Sequence, residues 1–327
     1  MIKMQNFIQN RVFGNSDAGI NLSNKVIQES EFTALDVSLL NVRHTTFNSC
    51  VFRSCDFTTQ MIEGCTFYGC DFSNCKLEGA SLLSSSFVDS RFSGSSLRNL
   101  SVRRCIFSKC DLTNTDWSMS KVEETGFDEC PIDGAIIANV DWTNFSICGT
   151  DFSKTELGPA NFERGVMLNC AFAHQNLSHV RIKNCSLNES TFDDVWAQRC
   201  EIVESLFLSS KFESCTFAFS GLSRSNFSSS KISNCSFEAS QLSSANFDSV
   251  EGVNLDFSRS NLSSALLRSA SLSNTTFVAC ELQLSDFSRS KIDNADFTDA
   301  VFENSKWELL DEAVRLSDSQ LNGIIER

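Results

Sequence analysis

The chain has 327 residues, 41% hydrophobic and 21% charged, with a formal net charge of −14 and a pI near 4.7. That balance excludes wholesale disorder, and no apolar run approaches the roughly 18 residues of a membrane-spanning helix. Acidity argues against direct binding to nucleic acid phosphates, which calls for clustered Lys and Arg. Residues 1–21 lack the apolar core of a signal peptide and fit the pattern that follows poorly. Phe7 and Val12 share its phase and Asp17 does not, so the segment reads as an N-terminal cap.

From residue 22 to 307 a five-residue repeat runs without a slip, and such self-similarity decides the fold. Of the 58 positions whose numbers end in 2 or 7, 56 are Val, Ile, Leu, Met, Phe or Trp, the exceptions being Ala197 and Gly252. Twenty-six of the 29 Phe keep this phase, with Phe13, Phe145 and Phe219 as strays. Two residues before each large residue stands a usually small one, with Lys25, Leu35, Leu40, Gln60, Leu100, Phe145, Gln175 and Leu255 departing. The residue between is commonly Asp, Asn, Ser or Thr. A helix would scatter this pattern around its axis, and a flat strand would send alternate Phe to opposite faces. The pattern closes only if the chain turns between units, each five residues giving one short wall to a shared interior. Phe145, Pro131, Pro159, Gly165 and Gly252 depart from it and are expected at local bulges or bends.

Cys55-Asp56-Phe57, Cys110-Asp111-Leu112, Ala160-Asn161-Phe162 and Ala245-Asn246-Phe247 resemble the motif of the pentapeptide-repeat proteins. The resemblance covers roughly nine-tenths of the chain. It implies an all-β fold, a right-handed quadrilateral parallel β-helix of about 14 coils with rings stacked every twentieth residue. The division is then an N-terminal cap at 1–21, the β-helix at 22–307 and a short C-terminal helical cap at 308–327.

Fourteen of the 15 Cys occupy the small inward position, and only Cys148 does not. Inert core thiols and a reducing, cytoplasmic compartment follow, with a secretion route that needs no signal peptide left open. No zinc spacing accompanies them, and His44, His174 and His179 fall on the outer surface. Asp193-Asp194 and Glu123-Glu124 are solvated corners rather than acid/base pairs. No nucleophile elbow, phosphate loop or zinc-protease motif is present. The reading is no enzyme, no cofactor, no metal and no catalytic residue.

At the C-terminus, WELLDEAVRL reads as a short helix with Leu310 and Val314 on one face. A capping box at Ser317–Gln320 opens a second, with Leu321, Ile324 and Ile325 apolar. These form a cap over the last coil or, as in several relatives the resemblance brings in, a homodimer contact. Two functions stay open. One is a non-enzymatic protein-interaction scaffold with another protein as partner, a host protein among the candidates. Its candidate surface is an outward apolar stripe on one wall, with Ile106, Val166, Leu206 and Leu266 in one row and Val88, Leu168 and Leu208 in the next. The other, implied by the resemblance, is an acidic DNA mimic that binds DNA gyrase, a type II topoisomerase. Its candidate face is Asp36, Asp56, Asp116, Asp256 and Asp296.

Overall fold

A corner at every fifth residue explains the period of five. From Asn24 to Asn304, residues numbered with a final 4 or 9 hold positive φ, the non-glycine ones between 47° and 67°. Leu39, Lys154 and Pro159 are the departures. Ordinary side chains resist this left-handed region, whereas Asn, Asp and Gly tolerate it, hence the polar corners. The corner amide repays part of the strain by donating to the next coil, as Ser84 does to the Arg103 carbonyl at 2.9 Å.

The computed structural model of the protein describes residues 6–307, 320 and 323–326. It is an all-β parallel solenoid of about 14 turns. Partners in neighbouring turns lie twenty residues apart, as in Phe47↔Phe67 and Phe67↔Phe87. Each turn has four walls. The first takes residues 26–28 and every twentieth residue onward, the second 31–33, the third 36–38 and the fourth 41–43.

Two compact units follow one another in the chain, Met1–Asn161 and Phe162–Arg327. In the first unit the first wall is an eight-stranded parallel sheet running from Phe7–Gln9 to Ser146–Ile147. In the second unit the second wall is a six-stranded sheet from Thr191–Asp193 to Lys291–Asp293. Inside the first unit Phe47, Phe67, Phe87 and Phe107 stack at 4.8, 4.9 and 4.8 Å between centroids. In the second unit Phe237, Phe257, Phe277 and Phe297 stack at 5.1, 5.2 and 4.8 Å. Ring stacking adds to the area term that dominates such cores.

The small inward position does more than leave room. Ser190 donates its amide to the Ser210 hydroxyl at 3.2 Å, and Ser210 donates its own to Ser230 at 3.1 Å. The hydroxyls in turn donate to carbonyls, Ser230 to Phe207 at 2.7 Å. Among the described residues no buried side-chain oxygen or nitrogen lacks a partner. This ladder is why a small polar residue is tolerated inside, and it accounts for much of the Ser content.

Three sequence expectations change. Phe7 and Val12 are not inward: they are 49% and 68% exposed, and Phe13 is fully buried. The pairings Ile8↔Ile27 and Phe13↔Phe32 put the opening strands one residue out of phase, the short 3-10 turn Asn15–Asp17 absorbing the slip. Ile324 and Ile325 are not helical, because Ile324–Glu326 is a strand parallel to Ser305–Trp307. Gln320, helical, donates its side-chain amide to the Phe297 and Ala300 carbonyls at 2.7 and 3.2 Å. Leu310, Val314 and Leu321 lie outside the described residues. The expected bulges occur where a regular corner amide would reach the residue nineteen further on. Gly134 reaches Lys154 and Asn139 reaches Pro159 instead, one residue late. Proline cannot take positive φ, so Pro159 forces the irregularity, whereas Gly252 keeps register with Ile232 and Leu272.

Candidate interaction surfaces

The five carboxylates of the acidic reading do share the third wall of their own units. In the first unit Asp36, Asp56, Lys76, Ser96 and Asp116 pair in one row, and in the second Ser236, Asp256, Thr276 and Asp296 do. One oxygen of each is engaged in bracing the turn, however. Asp36, Asp56, Asp116, Asp256 and Asp296 each accept the amide of the residue two further on at 2.9 Å. Asn176, Asn226, Asn246 and Asn261 make the same bond at 2.8–3.0 Å. The position selects an acceptor oxygen, and charge is incidental to it.

Elsewhere opposite charges stack about one turn apart. Arg104 meets Glu124 at 2.6 Å, Arg103 meets Glu123 at 3.3 Å, and Arg53 meets Glu31 at 2.7 Å. In the second unit Arg224 meets Glu204 at 2.7 Å and Arg181 meets Glu201 at 3.3 Å. Such exposed pairs add little stability. Their consequence is electrostatic, since they break any continuous line of negative charge.

The apolar residues all lie on first walls, yet they do not form one stripe. In the second unit the row reads Val166, Ser186, Leu206, Asn226, Asn246, Leu266. Val166, Leu168 and Leu206 are 37–39% exposed, and Leu208 and Leu266 are half-buried. Asn188 separates Leu168 from Leu208 and accepts the Leu208 amide at 3.0 Å. Ile106, 56% exposed, belongs to the first unit.

Family models for a pentapeptide repeat region match residues 60–137, and models for pentapeptide repeats in eight copies match 40–79, 211–250 and 256–292. Together they span more than half of the chain. The chain belongs to the pentapeptide-repeat family. Among solved structures it is similar to HetL, a pentapeptide-repeat protein involved in heterocyst differentiation regulation from the cyanobacterium Nostoc. The identity is 14%, over 76% of this chain and 89% of that one, with a TM-score of 0.30. Full-length QnrB1, a plasmid-mediated fluoroquinolone resistance protein, is 14% identical over 90% and 92%, with a TM-score of 0.18. PfbA, a surface adhesin of Streptococcus pneumoniae, is 8% identical over 93% and 89%, with a TM-score of 0.26. No curated protein matches the chain by sequence. No helix among the described residues is long and apolar enough to cross a membrane.

As in the repeat pattern, fourteen thiols of this pentapeptide-repeat protein are buried and Cys148 is exposed. Burial pushes the Cys75 and Cys280 thiols up to about 12, and those of Cys105, Cys185 and Cys200 up to about 11. Neutral thiols are poor nucleophiles. A maleimide label applied without denaturant is therefore expected to modify Cys148 alone, and fast reaction at five or more Cys would refute the inward assignment. His174 lies 3.1 Å from Asp194, and no group of three or more His, Cys, Asp or Glu suited to a metal occurs among the described residues.

The sequence placed Trp196 outward in the acidic row, but it singled out neither Trp196 nor Phe219 as a surface feature. Trp196, on the third wall, is 66% exposed, and Phe219, at a corner, is 57% exposed. Phe219 was legible as one of the three Phe out of phase. Trp117, Trp142 and Trp307 are buried, so acrylamide is expected to quench one of four Trp in the native state. Trp196→Phe should remove that quenchable fraction without moving the melting temperature.

The turn-bracing carboxylates give a pH expectation. Hydrogen bonds from the Thr58 hydroxyl and amide hold Asp56 below the usual carboxylate range, and Thr298 does the same for Asp296. A lowered folded pKa contributes stability above the unfolded value, lost as pH falls through the folded one. Asp56→Asn with Asp296→Asn should leave the neutral-pH melting temperature within about 2 °C, since Asn makes the same bond. The decline below about pH 4 should become shallower. An unchanged acid limb would show that these bonds are absent in solution.

Proposed function

We propose that this pentapeptide-repeat protein is a non-enzymatic protein-interaction scaffold, and that its partner meets the first wall of the second unit. The supporting observation is the placement of Val166, Leu168 and Leu206, all partly exposed, on a wall whose outward residues carry no charge before Asp248. A rigid, uncharged surface with leucine side chains suits a protein surface that buries apolar area. Two separate apolar pairs, Val166 with Leu168 and Leu206 with Leu208, split by Ser186 and Asn188, favour a partner with two apolar contacts about two turns apart. A reducing compartment suits a chain with fifteen free thiols.

The test compares the wild type with Leu168→Asp/Leu208→Asp in partner capture followed by titration of the purified partner. Loss of binding with an intact melting curve supports the reading, and unchanged binding by the folded variant removes it. The acidic-mimic reading has the net charge of −14 in its favour and the turn-bracing role of its carboxylates against it. Gyrase supercoiling and cleavage assays decide it: protection or inhibition at low micromolar protein supports mimicry, and inactivity opposes it.

A further inference from the structure

The first wall of the first unit differs from every other surface of that unit. The first seven of its eight parallel strands present thirteen outward positions from Phe7 to Gly126, and none is Asp, Glu, Lys or Arg. The first charge on the wall is Asp128. Over the same turns the third wall carries Asp36, Asp56, Lys76 and Asp116, and the fourth carries Glu63, Arg103, Lys121 and Glu123. In a chain with a net charge of −14, a charge-free sheet of this length calls for a cause.

Its large apolar side chains fall in two groups, Phe7 and Val26 on the first two strands and a second group further along. Tyr68, Val88 and Ile106 project from three successive strands at the middle of the sheet, and Tyr68 and Ile106 are 52% and 56% exposed. Tyr68 pairs directly with Val88, and Ser86 with Ile106. Small hydroxyl residues, Thr46, Thr66 and Ser86, lie beside them. Apart from Asp128, charge returns at the corners, with Glu29, Asp89 and Lys109 on one edge and Arg104 and Glu124 on the other. Apolar side chains set among uncharged polar ones, with charge at the corners, suit a protein interface.

We infer that this wall is a self-association face, and that its occupant is the same wall of a second copy of this chain. Charge selects that occupant. Two copies approaching through any ion-bearing wall set like patterns against each other or strip water from ions, both of which cost free energy. The uncharged wall meets its twin without either penalty. A two-fold axis through the middle of the sheet brings Tyr68, Val88 and Ile106 of the two copies together, with Thr and Ser between the larger side chains. Two flat sheets pack in this way about 10 Å apart.

The size of the face sets the affinity. Eight strands about 4.8 Å apart and three residues wide cover roughly 400 Å² of plane per copy. Two such faces bury about 800 Å² in all, below the roughly 1,200 Å² of a standard specific interface, so a weak, transient dimer is expected rather than an obligate one. Net repulsion between the acidic copies is screened by salt, so the dimer should tighten as salt rises, opposite to an ion-paired contact.

Sedimentation velocity of the full chain from about 1 to 200 µM, at low and at about 0.5 M salt, tests this. Val88→Glu with Ile106→Glu places charge at the centre of the wall. Ser81→Glu with Ser101→Glu adds the same charge to the fourth wall of the same region. All four positions face outward, and a melting curve checks that each variant is folded. The expected result is a salt-strengthened wild-type dimer, a first-wall variant whose dissociation constant rises at least tenfold, and a fourth-wall variant that still dimerises. A wild type that stays monomeric at 200 µM in 0.5 M salt overturns the inference, and means that the wall takes a different partner or none. A dimer that survives in the first-wall variant also overturns it, by placing the contact elsewhere, the C-terminal end included. Equal loss in both variants overturns it too. The leucine test on the second unit can fail or succeed independently of all these outcomes.

Discussion

Phe227→Asp should be among the most damaging single substitutions in the second unit, costing about 4 kcal/mol or more of its stability. Phe227 is fully buried. Its ring stacks on Phe207 at 5.1 Å and on Phe247 at 5.0 Å, and it meets Phe212 edge-on at 5.7 Å. Truncating such a ring to Ala already costs about 3–5 kcal/mol through lost burial and the cavity left behind. A carboxyl adds desolvation, and none of the aromatic residues around it can hydrogen-bond it. The new group would stay protonated to a raised pKa. Its penalty would therefore be greatest above that pKa and would shrink as pH falls, opposite in sign to the effect of Asp56 and Asp296. Because each turn supports only its neighbours, damage should be local at first, with the second unit melting before the first. Urea unfolding of Phe227→Leu, Phe227→Ala and Phe227→Asp should rank them in that order of increasing damage. A Phe227→Asp protein melting within a degree or two of wild type would refute the stacked core.

The repeat made the inward residues legible because one geometric demand recurs at every corner. Positive φ at the fifth residue and a large apolar residue between two corners leave a periodic trace that no ordinary helix or strand leaves. That logic fails where the corner itself changes. At the N-terminus a 3-10 turn shifts the phase, so Ile8 and Phe13 took the inward places that Phe7 and Val12 were expected to hold. At the C-terminus the short apolar run of Ile324 and Ile325 suits helix or strand equally. The exposed edge at Ser305–Trp307 decides for a strand, because unpaired backbone groups there accept one. The third-wall carboxylates were read as an outward face, and their hydrogen bonds to the amides two residues on are invisible to a periodicity argument. The use of Asn at the same position was the available clue. The uncharged first wall lay in the sequence as well, and it emerges only when outward residues are grouped by wall.

The last expectation concerns a pair of departures that the five-residue rule counts separately. Gly252 stands where a large residue belongs, and Leu255 stands where a small one belongs, and the structure makes them one feature. A Cβ built at Gly252 would lie 2.8 Å from Leu255 Cδ1 and 2.7 Å from Leu272 Cδ2. Leu255, 2% exposed, therefore fills the space that the missing side chain leaves. Gly252→Leu alone should overpack the turn and cost about 1–3 kcal/mol, with Leu272 rotating to relieve part of the strain. Leu255→Ala alone should open a cavity and cost about 2–5 kcal/mol. The double variant restores the regular pattern, large at 252 and small at 255, and should fall within about 1 kcal/mol of wild type. The two effects then fail to add by at least 2 kcal/mol or so, a coupling that neighbours sharing one volume show and distant sites do not. Urea unfolding of the four proteins closes the cycle. A double variant as damaged as the sum of its parts would mean that Leu255 does not occupy the place of the absent side chain, and that the turn around Gly252 is built in some other way.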